Sequence, residues 1–143
     1  MNKLAQYLNQ HLVGEVGTSQ ALREAYATDG SVLTLTPEMV IYPYNTSDIR
    51  KTMTFTWQLA EKGHVLGVTA RGAGTDTTGA ALGKGAILAL DRHMTNIFEY
   101  DVKQRLVRLQ PGVSVAALQS GLALQGTRIP TLDVVDGKAT VGG

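Results

Sequence analysis

The sequence predicts an α/β (α+β) domain, a small mixed sheet with helices on its outside. Three observations carry this prediction. Short apolar runs of strand length stand at Met39 to Tyr42, His64 to Ala70 and Ala86 to Leu90. Between and after them, segments such as Asn45 to Lys62 and Ser114 to Leu124 place apolar residues at three- and four-residue spacing, the period of a helix with one buried face. A glycine- and threonine-rich stretch, Arg71-Gly72-Ala73-Gly74-Thr75-Asp76-Thr77-Thr78-Gly79-Ala80, joins two of the strands.

Taken in order, Asn2 to Val13 carries Leu4, Leu8 and Leu12 with Ala5 beside them and reads as an amphipathic helix. Ser19 is a suitable N-cap for a second, short helix to Ala27, because its hydroxyl can accept one of the orphan amides of the first turn. Both are expected to pack on the outside of the sheet. Met39 to Tyr42 is a strand stopped by Pro43. Asn45 then caps a helix to about Lys62, with Asp48 in its first turn and Gly63 at its end. Ile49, Met53, Leu59 and Ala60, with Trp57 nearby, are expected to face the sheet. His64 to Ala70 returns as a strand in a right-handed β-α-β unit, and Ala86 to Leu90 follows the glycine stretch. Ile97 to Asp101 and Arg105 to Gln110 form a hairpin, and Ser114 caps a helix that Gly126 ends.

The chain has 143 residues, 43% hydrophobic and 17% charged, which is enough to bury a single core. Its formal charge of +1 gives no reason to propose nucleic acid or an anionic membrane as partner. No apolar run approaches the about 20 residues that span a bilayer, and the start Met1-Asn2-Lys3-Leu4 lacks the layout of a secretory signal. There is no cysteine, so the chain itself offers no disulfide, thiolate nucleophile or cysteine-ligated cluster. A cytoplasmic location is the expectation. His11, His64 and His93 are scattered singly and no metal site is expected from them. Asp133 and Asp136 flank a polar turn without a partner that would mark acid–base work, and Ser114 is better explained as a cap than as a nucleophile.

The glycine stretch carries the chemistry. Small residues let consecutive amides turn inward together, and a concave run of N–H donors suits a diphosphate. The spacing is neither G-x-x-x-x-G-K-[ST] nor a G-x-G-x-x-G that opens a helix, since Thr77 stands where the third glycine would be. A long connection between strands accounts for the same residues without any ligand. Arg71 is either a cation for phosphates or a structural brace. Asp76, a carboxylate that a diphosphate would repel, either adds a contact or bonds neighbouring amides and shapes the loop.

From Pro37 to Gly143 the sequence resembles the FAD-binding domain of the FAD-linked oxidases, the vanillyl-alcohol oxidase or PCMH-type group, with the D-lactate dehydrogenase and glycolate oxidase D-subunit branch as its nearest look. The pieces stand in the family's order: Pro37-Glu38-Met39-Val40-Ile41-Tyr42-Pro43, Asn45-Thr46-Ser47-Asp48-Ile49, Arg71-Gly72-Ala73-Gly74-Thr75 with Gly79-Ala80 behind it, Leu90 to Ile97, Pro111-Gly112-Val113 and Ala139-Thr140-Val141-Gly142-Gly143. The resemblance implies residues 1–36 as an N-terminal helical extension and 37–143 as the N-terminal part of a PCMH-type FAD-binding domain.

The resemblance further implies a cofactor site. Gly72, Ala73, Gly74 and Thr75 would give backbone donors to the FAD pyrophosphate, flanked by Arg71, Asp76, Thr77 and Gly79. Pro111 and Gly112 would lie on the flavin side of the sheet, where a plain strand-ending turn is the alternative. Thr140, Gly142 and Gly143 would run past the flavin. Where some relatives carry a histidine for covalent attachment, this sequence has Thr75 and Asp76, so FAD would be held non-covalently. The chain stops inside the last of these elements, and it reads as the front part of a longer enzyme.

The parent is then expected to be a flavin-dependent oxidoreductase that oxidises a 2-hydroxy acid such as D-lactate or glycolate. An iron–sulfur domain or subunit is an admissible partner, and the parent could sit peripherally at the inner membrane. No catalytic residue is assigned within these residues, and the fragment alone is expected to be inactive and to hold FAD weakly. One alternative is a folded half-domain that acts only as a structural or interaction module and self-associates. The other is a different flavoenzyme on the same fold, such as a UDP-sugar reductase, an aldonolactone oxidase or an alkyl-glycerol phosphate synthase.

Overall fold

A computed structural model describes residues 3–132 and 137–142. In chain order the elements are α1 (Lys3–His11), β1 (Glu15–Gly17), α2 (Gln20–Ala25), β2 (Met39–Tyr42), α3 (Thr46–Glu61), β3 (Val68–Arg71), β4 (Ala86–Ala89), β5 (Ile97–Asp101), β6 (Leu106–Leu109) and α4 (Val115–Leu124), followed by a 3-10 turn at Pro130–Leu132. Asp133, Asp136 and Gly143 lie outside the described residues.

Four strands form a mixed sheet in the order β1-β2-β4-β3, in which β4 pairs in parallel with both β2 and β3 and β1 runs antiparallel to β2. Every residue of β2 and β4 is buried, as central strands covered on both faces must be. On one face Met39, Ile41, Ala86 and Leu88 pack with Ala5, Leu8 and Leu12 of the α1 segment and with Ile49, Phe55 and Leu59 of α3. On the other, Val40, Tyr42 and Ala89 meet Leu22 and Tyr26. A third cluster joins Val113, Leu118 and Leu122 to the inner side of the β5–β6 hairpin.

The topology explains the length of the glycine stretch. Because β3 and β4 are parallel neighbours, the chain leaving Arg71 must travel back the full length of the strand before Ala86. Parallel pairs need a crossover of a dozen or more residues, and here irregular backbone takes the place of the usual helix. The loop is therefore both a connection and a feature of the sheet's C-terminal edge.

Three details differ from the sequence reading. The buried face of α3 is Asp48, Thr52 and Thr56, whereas Met53 is exposed and Trp57 is 69% exposed with its Nε1 donating to Glu61 at 3.0 Å. Helical period from Asp48 puts positions 52 and 56 inward and 53 and 57 outward, and Asp48 is fixed inward by the amides it accepts. The strand expected from His64 begins only at Val68. The His64 amide still bonds Leu59 O at 2.9 Å and Gly63 N bonds Ala60 O at 2.9 Å, so this stretch first finishes the helix in a left-handed turn. Finally, the residues before Pro37 add a strand that was not read from the sequence, β1 at the edge of the sheet, while α1 packs on the sheet's face through Ala5 and Leu8 as expected.

Candidate functional site

In open sheets with parallel strands, ligands bind outside the carboxyl ends of the strands. Here that edge is formed by Tyr42 at the end of β2, Arg71 at the end of β3 with the glycine loop behind it, and Leu90 to Arg92 after β4. The Leu90 amide donates to Arg71 O at 2.9 Å, which ties the first loop residue to the end of β4.

Within the loop, Gly74 has φ +70°, a left-handed conformation that suits glycine, and a Cβ there would overlap the Arg71 guanidinium. The backbone amides of Ala73, Gly74 and Thr75 make no hydrogen bond among the described residues. Asp76 shapes the following turn: its Oδ2 accepts the Thr78 hydroxyl at 2.6 Å, the Ala80 amide at 2.9 Å and the Thr78 amide at 3.1 Å. The Thr78 hydroxyl first, then the Ala80 amide, holds the Asp76 carboxyl below its ordinary value despite some desolvation. Its negative end is thus turned into the loop's own donors. Arg71 is 7% exposed; its Nη2 donates to Thr28 O at 2.8 Å, its Nη1 to Tyr26 O at 3.5 Å, and its guanidinium lies 5.0 Å from the Tyr26 ring centre. Of the two readings of Arg71, this geometry is that of a brace.

The second group of expected residues converges next to the same edge. Gly112 donates to Met94 O at 2.8 Å and sits so close to Leu90 that a Cβ would overlap the Leu90 carbonyl oxygen. Gly142 donates to Pro111 O at 2.8 Å, Val141 to Val113 O at 2.9 Å, and Thr140 forms a bridge with Ser114. Pro111, Gly112, Thr140 and Gly142 are therefore brought together, and Leu90 links them to Arg71. The segment also closes the start of α4, where Val115 and Ala116 donate to the carbonyls of Ala139 and Gly137 at 2.8 and 3.1 Å.

Around this edge lies an aromatic and charged surround that local sequence spacing did not signal. Tyr26 meets Tyr42 edge-on with ring centres 6.0 Å apart. Burial, then the Tyr42 hydroxyl and the Asp91 charge, push the Tyr26 phenol well above its ordinary value, with Arg71 opposing. Burial also pushes the Asp91 carboxyl up, opposed by its own amide and by Arg71. Arg92 stands over the Tyr42 ring at 4.5 Å and pairs with Glu15 at 2.8 Å. Among the described residues, no group of three His, Asp or Glu side chains is placed to hold a metal ion.

Residues 37–143 match the model of a family described as the FAD binding domain. The chain belongs to the FAD-binding domain family. Over 134 residues, 94% of this chain, it is 36% identical to a D-2-hydroxyglutarate dehydrogenase of Haemophilus influenzae, and over its whole length it is 33% identical to a D-2-hydroxyglutarate dehydrogenase of Escherichia coli. It spans 13% and 14% of the length of those two curated relatives. Among solved structures, an alkyldihydroxyacetonephosphate synthase superposes with a TM-score of 0.76 at 13% identity, covering all of this chain and 28% of that one. The 6-hydroxy-D-nicotine oxidase of Arthrobacter nicotinovorans superposes with a TM-score of 0.62 at 24% identity, over 80% of this chain and 24% of that one. At those identities the likeness speaks for the fold, and it is the PCMH-type fold.

The cofactor of this FAD-binding domain is FAD. The residues fit it on their own chemistry. Three consecutive amides without internal acceptors are what a diphosphate requires. The hydroxyl of the buried Thr140 has no hydrogen-bond partner among the described residues, and buried polar atoms are normally paired.

A cleft of about 690 Å³ lies between the β5–β6 hairpin and α4 and reaches Val141, next to Thr140 and Gly142. It is mainly apolar, with Leu106, Val107, Leu118, Leu122 and Ile129 in its wall. No helix among the described residues is long and apolar enough to cross a membrane.

Proposed function

We propose that this chain is the FAD-holding part of a flavin-dependent oxidoreductase that oxidises a 2-hydroxy acid. The observation that carries the reading is the run of unpartnered amides at Ala73, Gly74 and Thr75, held by a left-handed Gly74 at the carboxyl edge of the sheet. In this proposal residues 1–36 are an N-terminal extension and 37–143 the first part of the domain. Gly72 to Thr75 hold the pyrophosphate through their backbone, Thr77 and Gly79 flank it, and Asp76 keeps the turn in shape. Arg71 acts from behind the loop. Pro111, Gly112 and Gly142 contribute backbone on the flavin side, where the Thr140 hydroxyl is a ready donor; Gly143 keeps its proposed role without a described position.

When bound, FAD supplies the hydride-accepting ring. The names of the relatives favour D-2-hydroxyglutarate as substrate ahead of the D-lactate or glycolate that the sequence suggested. A partner bearing iron–sulfur clusters belongs to the proposal as electron acceptor, and since this chain has no cysteine its clusters would be ligated elsewhere. A cytoplasmic location, with the parent enzyme peripheral at the inner membrane, completes it and is tested by fractionating cells.

The experiment is a titration of the chain with FAD, followed by flavin fluorescence and calorimetry, beside Gly74→Asp. The variant places a side chain on the Arg71 guanidinium and a negative charge at the amides. Saturable binding that the variant loses is the expected result. Equal binding by both proteins would remove the loop from the site.

A second reading, an interaction module, is favoured by the apolar cleft. The remainder of the parent polypeptide is its proposed occupant, with a second copy taking its place when the chain is alone.

A further inference from the structure

Residues 26–34 lie upstream of the stretch that the family model matches, yet Tyr26, Thr28, Gly30 and Leu33 all lie against the glycine loop or its Arg71. The carbonyls of Tyr26 and Thr28 accept the Arg71 guanidinium at 3.5 and 2.8 Å, and that guanidinium in turn supports Gly74. A Cβ on Gly30 would come within 2.9 Å of Asp76 O and 3.0 Å of Thr75 O, so the loop's carbonyls face Gly30 at close range. Leu33 lies against Gly79, where an added Cβ would meet its Cδ1 at 2.6 Å.

The segment is built to keep its own form. Thr28 bridges to Thr34, and Leu35 N donates to Ala27 O at 2.8 Å. Inside it, Ser31 N donates to Asp29 Oδ1 at 2.8 Å and Leu33 N to Ser31 Oγ at 3.1 Å.

Orientation follows from peptide geometry. In a planar trans peptide the C=O of one residue and the N–H of the next point to opposite sides. With Thr75 O turned towards Gly30, the Asp76 amide is turned away from it. The segment therefore meets the loop at the carbonyls of Thr75 and Asp76, directly after the three unpartnered amides.

We propose that residues 26–34 are the template on which the glycine loop is shaped, with Arg71 as the positioning residue that clamps the two together. The consequence is that affinity for a diphosphate-bearing ligand is set partly by residues outside the family's matched region. This last consequence rests on the reading of the loop as a pyrophosphate cradle; the template itself does not.

The test uses the ligand-free chain, labelled with ¹⁵N, and the variants Arg71→Gln, Arg71→Lys and Gly30→Val. Backbone order parameters at Ala73, Gly74 and Thr75 are compared with those at Val40 and Ile87 in the sheet. The expected result is a fall at the loop from about 0.85 to below about 0.6 in Arg71→Gln and Gly30→Val, with the sheet unchanged. Arg71→Lys should recover part of the order, because it restores the charge without the planar fork. Loop order unchanged in both Arg71→Gln and Gly30→Val would overturn the proposal, as would an equal loss of order in loop and sheet. Titration with ADP then examines the consequence: the two variants should bind at least tenfold more weakly than the parent chain. If the parent chain itself does not bind ADP, the pyrophosphate reading fails while the order parameters still decide the template.

Discussion

The carboxylate of Asp48, in the first turn of α3, accepts the Gly14 amide at 2.8 Å and the Val13 amide at 3.0 Å. It also accepts the Tyr44 amide at 3.0 Å, so one buried side chain pins the α1–β1 connection to the end of β2. Charge-assisted bonds of this kind contribute more than neutral ones, and removing the acceptor leaves several donors unpaired. Asp48→Ala should therefore lower stability by about 2–4 kcal/mol, read from urea unfolding. A loss near zero would mean that water satisfies those amides.

The same residue predicts an acid limb. Burial pushes its carboxyl up, but the amides of Val13, Tyr44 and Gly14 together with Lys51 outweigh burial and hold it below the ordinary aspartate value. A carboxyl lowered on folding stabilises the fold fully above its unfolded value of about 3.9, and that contribution is lost as pH falls through the folded value. Unfolding free energy should drop below about pH 4, and the drop should be shallower in Asp48→Asn. Identical acid limbs would assign the effect to other carboxylates.

Much of the fold is legible in the sequence because its signals are local. Asn45 and Ser114 cap their helices as expected, accepting the amides of Asp48 and Ala117 at 3.0 and 3.2 Å, and β2 spans the predicted Met39–Tyr42. The buried side of α3 was legible only in part: Ile49 and Leu59 meet the core as read, whereas the most buried positions, Asp48, Thr52 and Thr56, are polar, and Met53, Trp57 and Ala60 are exposed. In the site, the glycine loop announces itself by composition, whereas its contact with Tyr26 and Thr28 joins residues more than forty positions apart and leaves no spacing to read.

The outward setting of Trp57 on α3 can be measured. Trp57→Ala, on the exposed side, should change stability by no more than about 0.5 kcal/mol. Thr52→Leu, at a fully buried position where Oγ1 donates to Asp48 O at 2.9 Å, should cost about 1–3 kcal/mol through overpacking. The opposite ranking in thermal unfolding would return the helix to the orientation that apolar periodicity suggests.

Gly112 tests whether the two halves of the candidate site depend on each other. A Cβ there would overlap Leu90 O and come within 2.7 Å of Met94 O, both backbone atoms that cannot step aside cheaply. Leu90 also holds Arg71 O through its amide, so a shift of the 90–94 turn should reach the loop. Gly112→Ala should destabilise the chain by about 1–3 kcal/mol and shift the amide resonances of Gly72 and Ala73. Resonance changes confined to residues near 90–94 and 111–113 would separate the halves.

The β5–β6 hairpin is joined to no other strand among the described residues, and Phe98 and Leu106 are each 60% exposed on it. A two-stranded hairpin is marginal by itself and depends on a hydrophobic face packed against something else. On its inner side Tyr100, Val107 and Leu109 rest on Val113, Leu118 and Leu122, while Leu106 reaches into the wall of the apolar cleft. An exposed apolar surface of this sort invites a partner. Sedimentation velocity of the chain should accordingly be concentration-dependent, and Leu106→Glu should give a monomer over the same range with its unfolding midpoint intact. A parent chain that stays monomeric at every concentration would rule out self-association through the cleft.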